Sequence, residues 1–576
     1  MFKRGLLTAT LAALALPGAA GAWSQTTMLA PGVTYTKTVR WASFGPLVTH
    51  VISAPRPGGL YGLRPVLGRG TALGVERITS MQRRLRMQGT AAGVNADFFN
   101  IYSGRPSGIF LRDGVLATRP LTGRSSLGVA FDGTLRVRRL SYFGWWQVDG
   151  FDRHPMREFN RRLDDPPGVT LYTSRYGGRT PRVRRAVDVV LGGVPPVVVG
   201  GNLGARVVTR RWGGGTAVPP GGAVLQARGF WRRVVVREAR PDRHLTLHVK
   251  VRGLWTDVAD AVGGGPVLVR YGQPVWGAGE AFLSSQLLPR NPRTAIGQLA
   301  NGRVILVVAD GRSAASAGLR NWEMALEMVR LGAVTAMAFD SGGSSTTAFD
   351  GRVLNRPSDG AERSVADGLF VFYYGGFAPR PRRRVVSPNG DGVLDTQHLS
   401  ARIVRRSAVD VRVVRPDGSV GWRYRDTVRR RVIRHDLLRA RQSGTWKWIV
   451  EAVDGRGRRS RMVRAFIVNN TIGHLRLSAY RMRVVPRRGG RVGARVALTR
   501  RSRVSVLVRR VSDGRLVRRL YTGDRDPGGL FFRWDGKNAA GWVVAGGRYR
   551  IVVRATNALG TIALERTLRV VRVRRL

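Results

Sequence analysis

The chain has 576 residues, 43% of them hydrophobic, and no cysteine, so it can support several packed domains but has no disulfide framework, lipoprotein attachment site or cysteine nucleophile. Its net charge is +61, carried by 97 Lys and Arg of which only Lys3, Lys37, Lys250, Lys447 and Lys537 are lysine. A field of that sign attracts phosphorylated or acidic glycans and anionic cell surfaces, and a GC-rich coding bias accounts equally well for so lopsided an arginine use. Nucleic acid is disfavoured, because no reading motif is recognisable and the chain starts with an export signal.

That signal occupies residues 1–22. Lys3 and Arg4 precede the apolar stretch Gly5–Leu16, and Ala20-Gly21-Ala22 forms an A-x-A site with cleavage expected before Trp23. The expected location is therefore secreted or extracellular, with cell-wall association a further expectation. No later segment approaches a membrane-spanning length, so no span remains after signal cleavage.

Residues 23–377 read as one domain rich in strands and Gly turns, with one clear helix. His244-Leu-Thr-Leu-His248 alternates as a strand and lacks the helix and Glu of a zinc motif. Gly68-x-Gly70 does not continue as a dinucleotide fingerprint, and Ser344 is not set in a G-x-S-x-G elbow. Arg303-Val-Ile-Leu-Val-Val-Ala309 is a continuous apolar run, as for a strand buried on both faces, and it ends at Asp310-Gly311-Arg312. A helix is predicted over about 321–331, with Asn321 as N-cap and Gly332 as its stop. The next strand, 335–339, ends at Asp340 and the loop Ser341-Gly-Gly-Ser-Ser345. A strand–helix–strand unit implies two parallel strands joined by a right-handed crossover, which would carry Asp310 and Asp340 to one edge of one sheet. The fold class expected for this domain is α+β, or mixed α/β.

Ala378-Pro-Arg-Pro-Arg-Arg-Arg384 reads as a linker. Beyond it the sequence repeats itself: Ser443–Gly457 aligns with Gly546–Gly560, and Ser407–Val414 resembles Ser502–Arg509. Two all-β, immunoglobulin-like sandwiches are expected, over 385–468 and 469–576. The second contains Trp534-Asp-Gly-Lys-Asn-Ala-Ala-Gly-Trp542, which resembles the flagellar-hook-capping type of immunoglobulin-like domain. The first opens with Ser387-Pro-Asn-Gly-Asp-Gly392, where Asn389, Asp391 and Asp395 offer hard oxygen ligands for calcium, although an Asx-type turn explains the spacing better.

One ordered set of motifs goes further. Asn291-Pro-Arg-Thr-Ala-Ile-Gly297, Val308–Ser313, Gly318-Leu319, Leu331–Ala333, Phe339–Ser345 and Asn355–Arg363 are preceded by Val94-Asn-Ala-Asp-Phe-Phe99, Asn160-Arg161, Leu171–Gly177 and Gly263–Val269. In this order the chain resembles the phosphodiester glycosidases, relatives of the lysosomal uncovering enzyme, over roughly residues 85–374. The resemblance implies hydrolysis of a sugar-1-phosphodiester, with no cofactor required and metal use undecided.

On that reading Asp340, Asp310, Glu362 and Asp97 are the candidate carboxylates for an oxocarbenium-like transition state, Asp340 ranking first. Glu362 is also readable as an internal ion pair with Arg363. Arg293, Arg312 and Arg363 are candidates to clamp the phosphodiester, with Thr294 beside them. Gly342, Gly343, Ser344 and Ser345 would let backbone and hydroxyls approach it, while Asn95 and Asn355 would bind sugar hydroxyls beside Phe98 or Phe99. Ser341 stands where the family more often has glycine, which is harmless only if that position avoids a Gly-only conformation. The alternative is a secreted protein that binds a cell surface or an anionic glycan without catalysis.

Overall fold

The computed structural model describes residues 22–163, 166–275 and 279–573. The signal-peptide segment, except Ala22, lies outside the described residues. The α+β or mixed α/β expectation is overturned: strand makes up 54% and helix 7%, with four helices among the described residues, so the structure is nearly all β. The chain divides into two compact units between Tyr374 and Gly375, slightly upstream of the expected linker.

In the first unit, β1 (Trp23–Ala30), β2 (Val33–Ala42) and β3 (Gly45–Ala54) form an antiparallel meander. They are followed by β4 (Tyr61–Leu67), α1 (Ile78–Leu85) and β5 (Thr90–Asn95). After a long excursion come β6 (Val267–Arg270), β7 (Arg293–Leu299), β8 (Val304–Ala309), α2 (Asn321–Arg330), β9 (Ala333–Ala338), β10 (Thr347–Phe349) and β11 (Asp367–Tyr373). One sheet has the order β1-β2-β3-β8-β7-β9-β6, closed by Gln273–Pro274. A second has the order Arg352–Val353, β10, β5, β11, β4.

The strand–helix–strand unit is present, and it explains how the sequence misleads about fold class. β8 and β9 do run in the same direction, but β7 lies antiparallel between them, so every ladder of that sheet is antiparallel. β8 is buried along its whole length, with Ile305, Val307 and Ala309 packed on Met324, Ala325 and Met328 of α2. Burial of both faces removes period-two alternation, which makes an interior antiparallel strand look like a parallel one. α2 opens on Arg320, whose N–H is held by the Glu323 carboxylate at 2.8 Å, and Gly332 follows it at φ 85°.

α1 covers the second sheet through Ile78, Met81 and Leu85 against Ala91, Phe370 and Phe372. Residues 110–139 and 258–263 form a five-stranded sheet, and most of 141–252 an eight-stranded one around Trp146, Phe159 and Leu171. His244–Arg252 is a strand of the latter.

The second unit holds two β-sandwiches. In each, a five-stranded sheet starts with a short strand parallel to the last one: Val385–Val386 along Ile467–Val468, and Arg481–Val484 along Arg569–Arg572. The repeated segments occupy equivalent strands, Gly444–Asp454 and Gly547–Asn557. In the Asn389–Asp395 loop the candidate calcium oxygens accept backbone N–H bonds. Asp395 takes Asn389, Gly390 and Gly392, Asp391 takes Val393 and His474, and Asn389 takes Asp391.

Candidate active site

Antiparallel β7 places its beginning beside the ends of β8 and β9, with Arg293 opposite Ala309 and Ala295 opposite Ala338. Arg293, Asp310 and Asp340 are thereby delivered to one edge of the sheet. β5 meets the same edge from the second sheet. The Asn95 carboxamide accepts from Thr294 Oγ1 at 2.8 Å and from the Thr346 N–H at 3.1 Å, and donates to the Asp340 carbonyl at 2.8 Å. Asn95 and Thr294, both buried, therefore brace the two sheets instead of facing a ligand.

Three carboxylates converge at that junction. The Asp340 N–H donates to Ala96 O at 2.9 Å, and the next residue, Asp97, donates its N–H to Asp367 Oδ1 at 2.8 Å. Asp97 is 2% exposed and Asp367 fully buried, whereas Asp340 is only half-buried. Burial pushes the Asp340 carboxyl up to about 6, against the pull of the Ser344 hydroxyl, the Ser341 N–H, Arg363 and Arg124. Burial likewise pushes Asp97 up to about 7, the N–H groups of Gly108 and Phe98 and the charge of Arg124 opposing it. Asp367 is raised well above the usual carboxylate range by burial and by the two acids beside it. Asp97 is packed hard: Gly108 N–H reaches Oδ2 at 2.5 Å, and a Cβ on Gly263 would stand 2.5 Å from the same oxygen. Near neutral pH the half-buried Asp340 is thus the most readily ionised of the three, Asp97 is part-protonated, and burial favours the protonated form of Asp367 most.

The loop after Asp340 presents two guanidiniums. Ser341 adopts φ −120°, an extended conformation open to any residue, so its departure from glycine is harmless, and it is Gly342 that needs φ 69°. A Cβ on Gly342 would lie 3.1 Å from Arg312 Nη2, and one on Gly343 would lie 2.2 Å from Arg363 Nη2. Arg312 is exposed and spends its Nε on Asn291 Oδ1 at 2.9 Å. Arg363 is oriented by Asp359, to which its Nε donates at 2.9 Å. The hydroxyls of Ser344, Ser345, Thr346 and Thr347 are all buried without a hydrogen bond of good geometry, Ser344 being the one set against Asp340. Buried hydroxyls are normally hydrogen-bonded to protein or ordered water, so this row offers donors to whatever occupies the loop.

Other expected site residues have different work. All five N–H groups of Arg293 are engaged: Nε to Leu319 O at 2.9 Å, Nη1 to Gln286 O at 2.8 Å and Ser341 Oγ at 3.5 Å, Nη2 to Leu287 O at 3.1 Å and Pro289 O at 2.9 Å. It pins the 286–289 turn and has no fork left for a phosphate. Glu362 does not pair with Arg363; it accepts from Thr79 N at 2.8 Å and Thr79 Oγ1 at 2.6 Å, capping α1. Asp310 heads a separate buried network, with His50 Nε2 at 3.0 Å, Asn355 Nδ2 at 3.3 Å and the Arg356 N–H at 3.2 Å. His50 Nδ1 lies 2.8 Å from the Tyr35 hydroxyl, whose pKa burial and Asp310 push up to about 12. Asn355 links this network to the loop, donating to Ser345 O at 3.1 Å and accepting from the Thr347 N–H at 2.9 Å.

Sequence reasoning missed Asp367 and Arg124. Asp367 opens the apolar strand β11, where an acid before a Gly reads as a turn. Arg124 lies 5.0 Å and 4.1 Å from the ring centroids of Phe98 and Phe282, and nothing in its local sequence separates it from dozens of other arginines.

Residues 196–372, which include Asp340, Arg312, Arg363 and Asp367, match the phosphodiester glycosidase family model. The match covers under a third of the chain. Residues 485–558 match the FlgD Ig-like domain. A curated relative, the SPbeta prophage-derived uncharacterized protein YomE of Bacillus subtilis strain 168, is 40% identical over 84 residues, which is 15% of this chain and 13% of that one. A hypothetical protein from Synechocystis has a similar fold at 22% identity and a TM-score of 0.53, covering 63% of this chain and 64% of its own. A protein from Burkholderia pseudomallei K96243 does so at 19% identity and a TM-score of 0.51, covering 62% and 97%. The chain thus spans under two thirds of the length of YomE and of the Synechocystis protein. Asp97 and Arg124 lie upstream of the segment matched to the phosphodiester glycosidase family.

Proposed function

We propose that the first unit hydrolyses the glycosyl bond of a sugar-1-phosphodiester, of the N-acetylglucosamine-1-phosphodiester kind, within an anionic glycan or cell-wall polymer outside the cell. The observation that carries this reading is the half-open Asp340 carboxylate, backed by the two buried acids Asp97 and Asp367 and flanked across Gly342-Gly343 by Arg312 and Arg363.

The chemistry follows from that arrangement. The diester oxygens sit against the two guanidiniums, which neutralise the leaving group. Asp340, ionised, stabilises positive charge developing at the anomeric carbon as the C1–O bond breaks. The phosphate monoester departs as an anion and needs little proton assistance. Water supplies the hydroxyl that ends on C1, and its proton passes to the carboxylate cluster or to solvent. Asp97 and Asp367, beneath, hold Asp340 in a low-dielectric setting and are positioning residues. The basic second unit, with 49 basic and 13 acidic residues over 379–576, would hold the enzyme against an anionic surface.

The test is release of N-acetylglucosamine from a GlcNAc-1-phosphodiester and from teichoic-acid-like polymers, by the intact protein and by the phosphate-clamp variant Arg363→Ala. Turnover falling at least ~100-fold in the variant supports the reading. No turnover of any phosphodiester by the wild type, with retained binding to cells, would replace it with the non-catalytic alternative.

A further inference from the structure

The loop that follows Asp97 borders a cavity of about 460 Å³, which the mechanism above does not use. Arg105, Arg161 and Arg162 all line it, with Asn100, Tyr102 and Ser107. Arg105 is 7% exposed; its Nε donates to Asn160 O at 3.0 Å, yet its Nη2 is buried with no partner. The carboxylate that would neutralise it, Glu158, is already held in a two-pronged pair by Arg119, Nη2 to Oε1 at 2.7 Å and Nε to Oε2 at 2.5 Å. Among the described residues no carboxylate pairs with Arg161 or Arg162.

Burial, with Arg161 and Arg119 nearby, pushes the Arg105 guanidinium down to about 10, so it is still charged at neutral pH. A buried cation with an unused fork is costly unless an acceptor arrives from outside. Three guanidiniums around one hole, none of them in an ion pair with a carboxylate among the described residues, favour a compact, multiply charged oxyanion over a neutral sugar. The pocket wall also connects to the buried acid cluster. Ser107 in its wall precedes Gly108, whose N–H holds Asp97 Oδ2 at 2.5 Å.

We propose that this pocket is an anion subsite that binds a second phosphate group of the substrate, next to the unit cut at Asp340. The inference rests on the phosphodiester reading and narrows it to substrates bearing more than one phosphate, such as an oligomer of a sugar-phosphate polymer. A single-diester substrate leaves the pocket empty and a two-phosphate substrate fills it.

Two measurements on the intact protein test this. In the first, wild type and the surface-side variant Arg161→Ala/Arg162→Ala are titrated calorimetrically with inorganic phosphate and with glucuronate at ~150 mM salt, which suppresses diffuse binding to the other arginines. Saturable phosphate binding, weakened at least tenfold in the variant, is the expected result. Equal binding to both proteins, or tighter glucuronate than phosphate, overturns the proposal. In the second, kcat/KM is compared for a one-phosphate and a two-phosphate substrate. The wild type should prefer the latter at least tenfold, through KM, and the variant's preference should fall to about one; an unchanged preference overturns the proposal. If neither substrate is cleaved while phosphate binding still depends on Arg161 and Arg162, the phosphodiester reading fails and the anion site stands.

Discussion

Replacing Asp97 by Asn should make the protein more resistant to unfolding at neutral pH, and the gain should grow with pH in a defined way. In the folded state burial raises the Asp97 carboxyl from 3.8 to about 7, whereas the unfolded chain keeps the ordinary value. Below about pH 4 both states are protonated and the group contributes nothing. Between about pH 4 and 7 the unfolded state releases a proton that the folded state keeps, so stability falls as pH rises. By about pH 7 the full loss, about 4 kcal/mol, has accrued. The Asn variant has no such proton. Urea unfolding of both proteins at intervals from about pH 4 to 7.5 isolates the effect, because other titrating groups largely cancel in the difference. The variant-minus-wild-type stability should rise by about 4 kcal/mol across that range, and relief of like-charge repulsion on Asp340 and Asp367 acts in the same direction. A flat difference, or one that falls with pH, would mean that the Gly108 and Phe98 N–H groups hold Asp97 as an ordinary ionised carboxylate, refuting the reasoning.

The same acids set the rate profile: kcat/KM for a GlcNAc-1-phosphodiester should rise through about pH 6 as Asp340 ionises, measured by product release across pH. Gly343→Ala, whose Cβ would collide with Arg363 and Asp359, should lower kcat/KM at least ~10-fold with an unchanged circular-dichroism spectrum. Glu362→Ala should cost about 1 kcal/mol through the lost α1 cap, leaving kcat within about twofold, read from denaturation and turnover together. Arg293→Ala strands the buried Leu319 carbonyl, frees three less buried ones and empties a buried site, and should destabilise by about 3 kcal/mol; a stable variant with raised KM would restore Arg293 to the substrate clamp.

What the sequence made legible was order and edge: β8, α2 and β9 appear where apolar runs and helical spacing put them, and they carry Asp310 and Asp340 to one edge. What stayed hidden was the antiparallel β7 between them, because Arg293–Leu299 is buried along nearly all its length and shows neither pairing direction nor alternation. Roles were hidden for a different reason. A guanidinium that pins four carbonyls and one that flanks the Gly342-Gly343 loop have the same letter, so Arg293, Arg312 and Arg363 separate only through their neighbours. Glu362, adjacent to Arg363 in sequence, bonds instead across 283 residues to Thr79. Ser341 was the reverse case, an apparent departure from a glycine pattern that its extended backbone makes unimportant.

The central claim is that Asp340 is the carboxylate at the reacting bond, and single-turnover cleavage of a GlcNAc-1-phosphodiester by wild type and Asp340→Asn tests it most directly. Asparagine keeps the shape and a hydrogen-bonding oxygen but removes the charge, so the folded variant should lose at least ~1,000-fold in rate with its substrate affinity little changed. Cleavage at the wild-type rate would remove Asp340 from the chemistry and contradict the account.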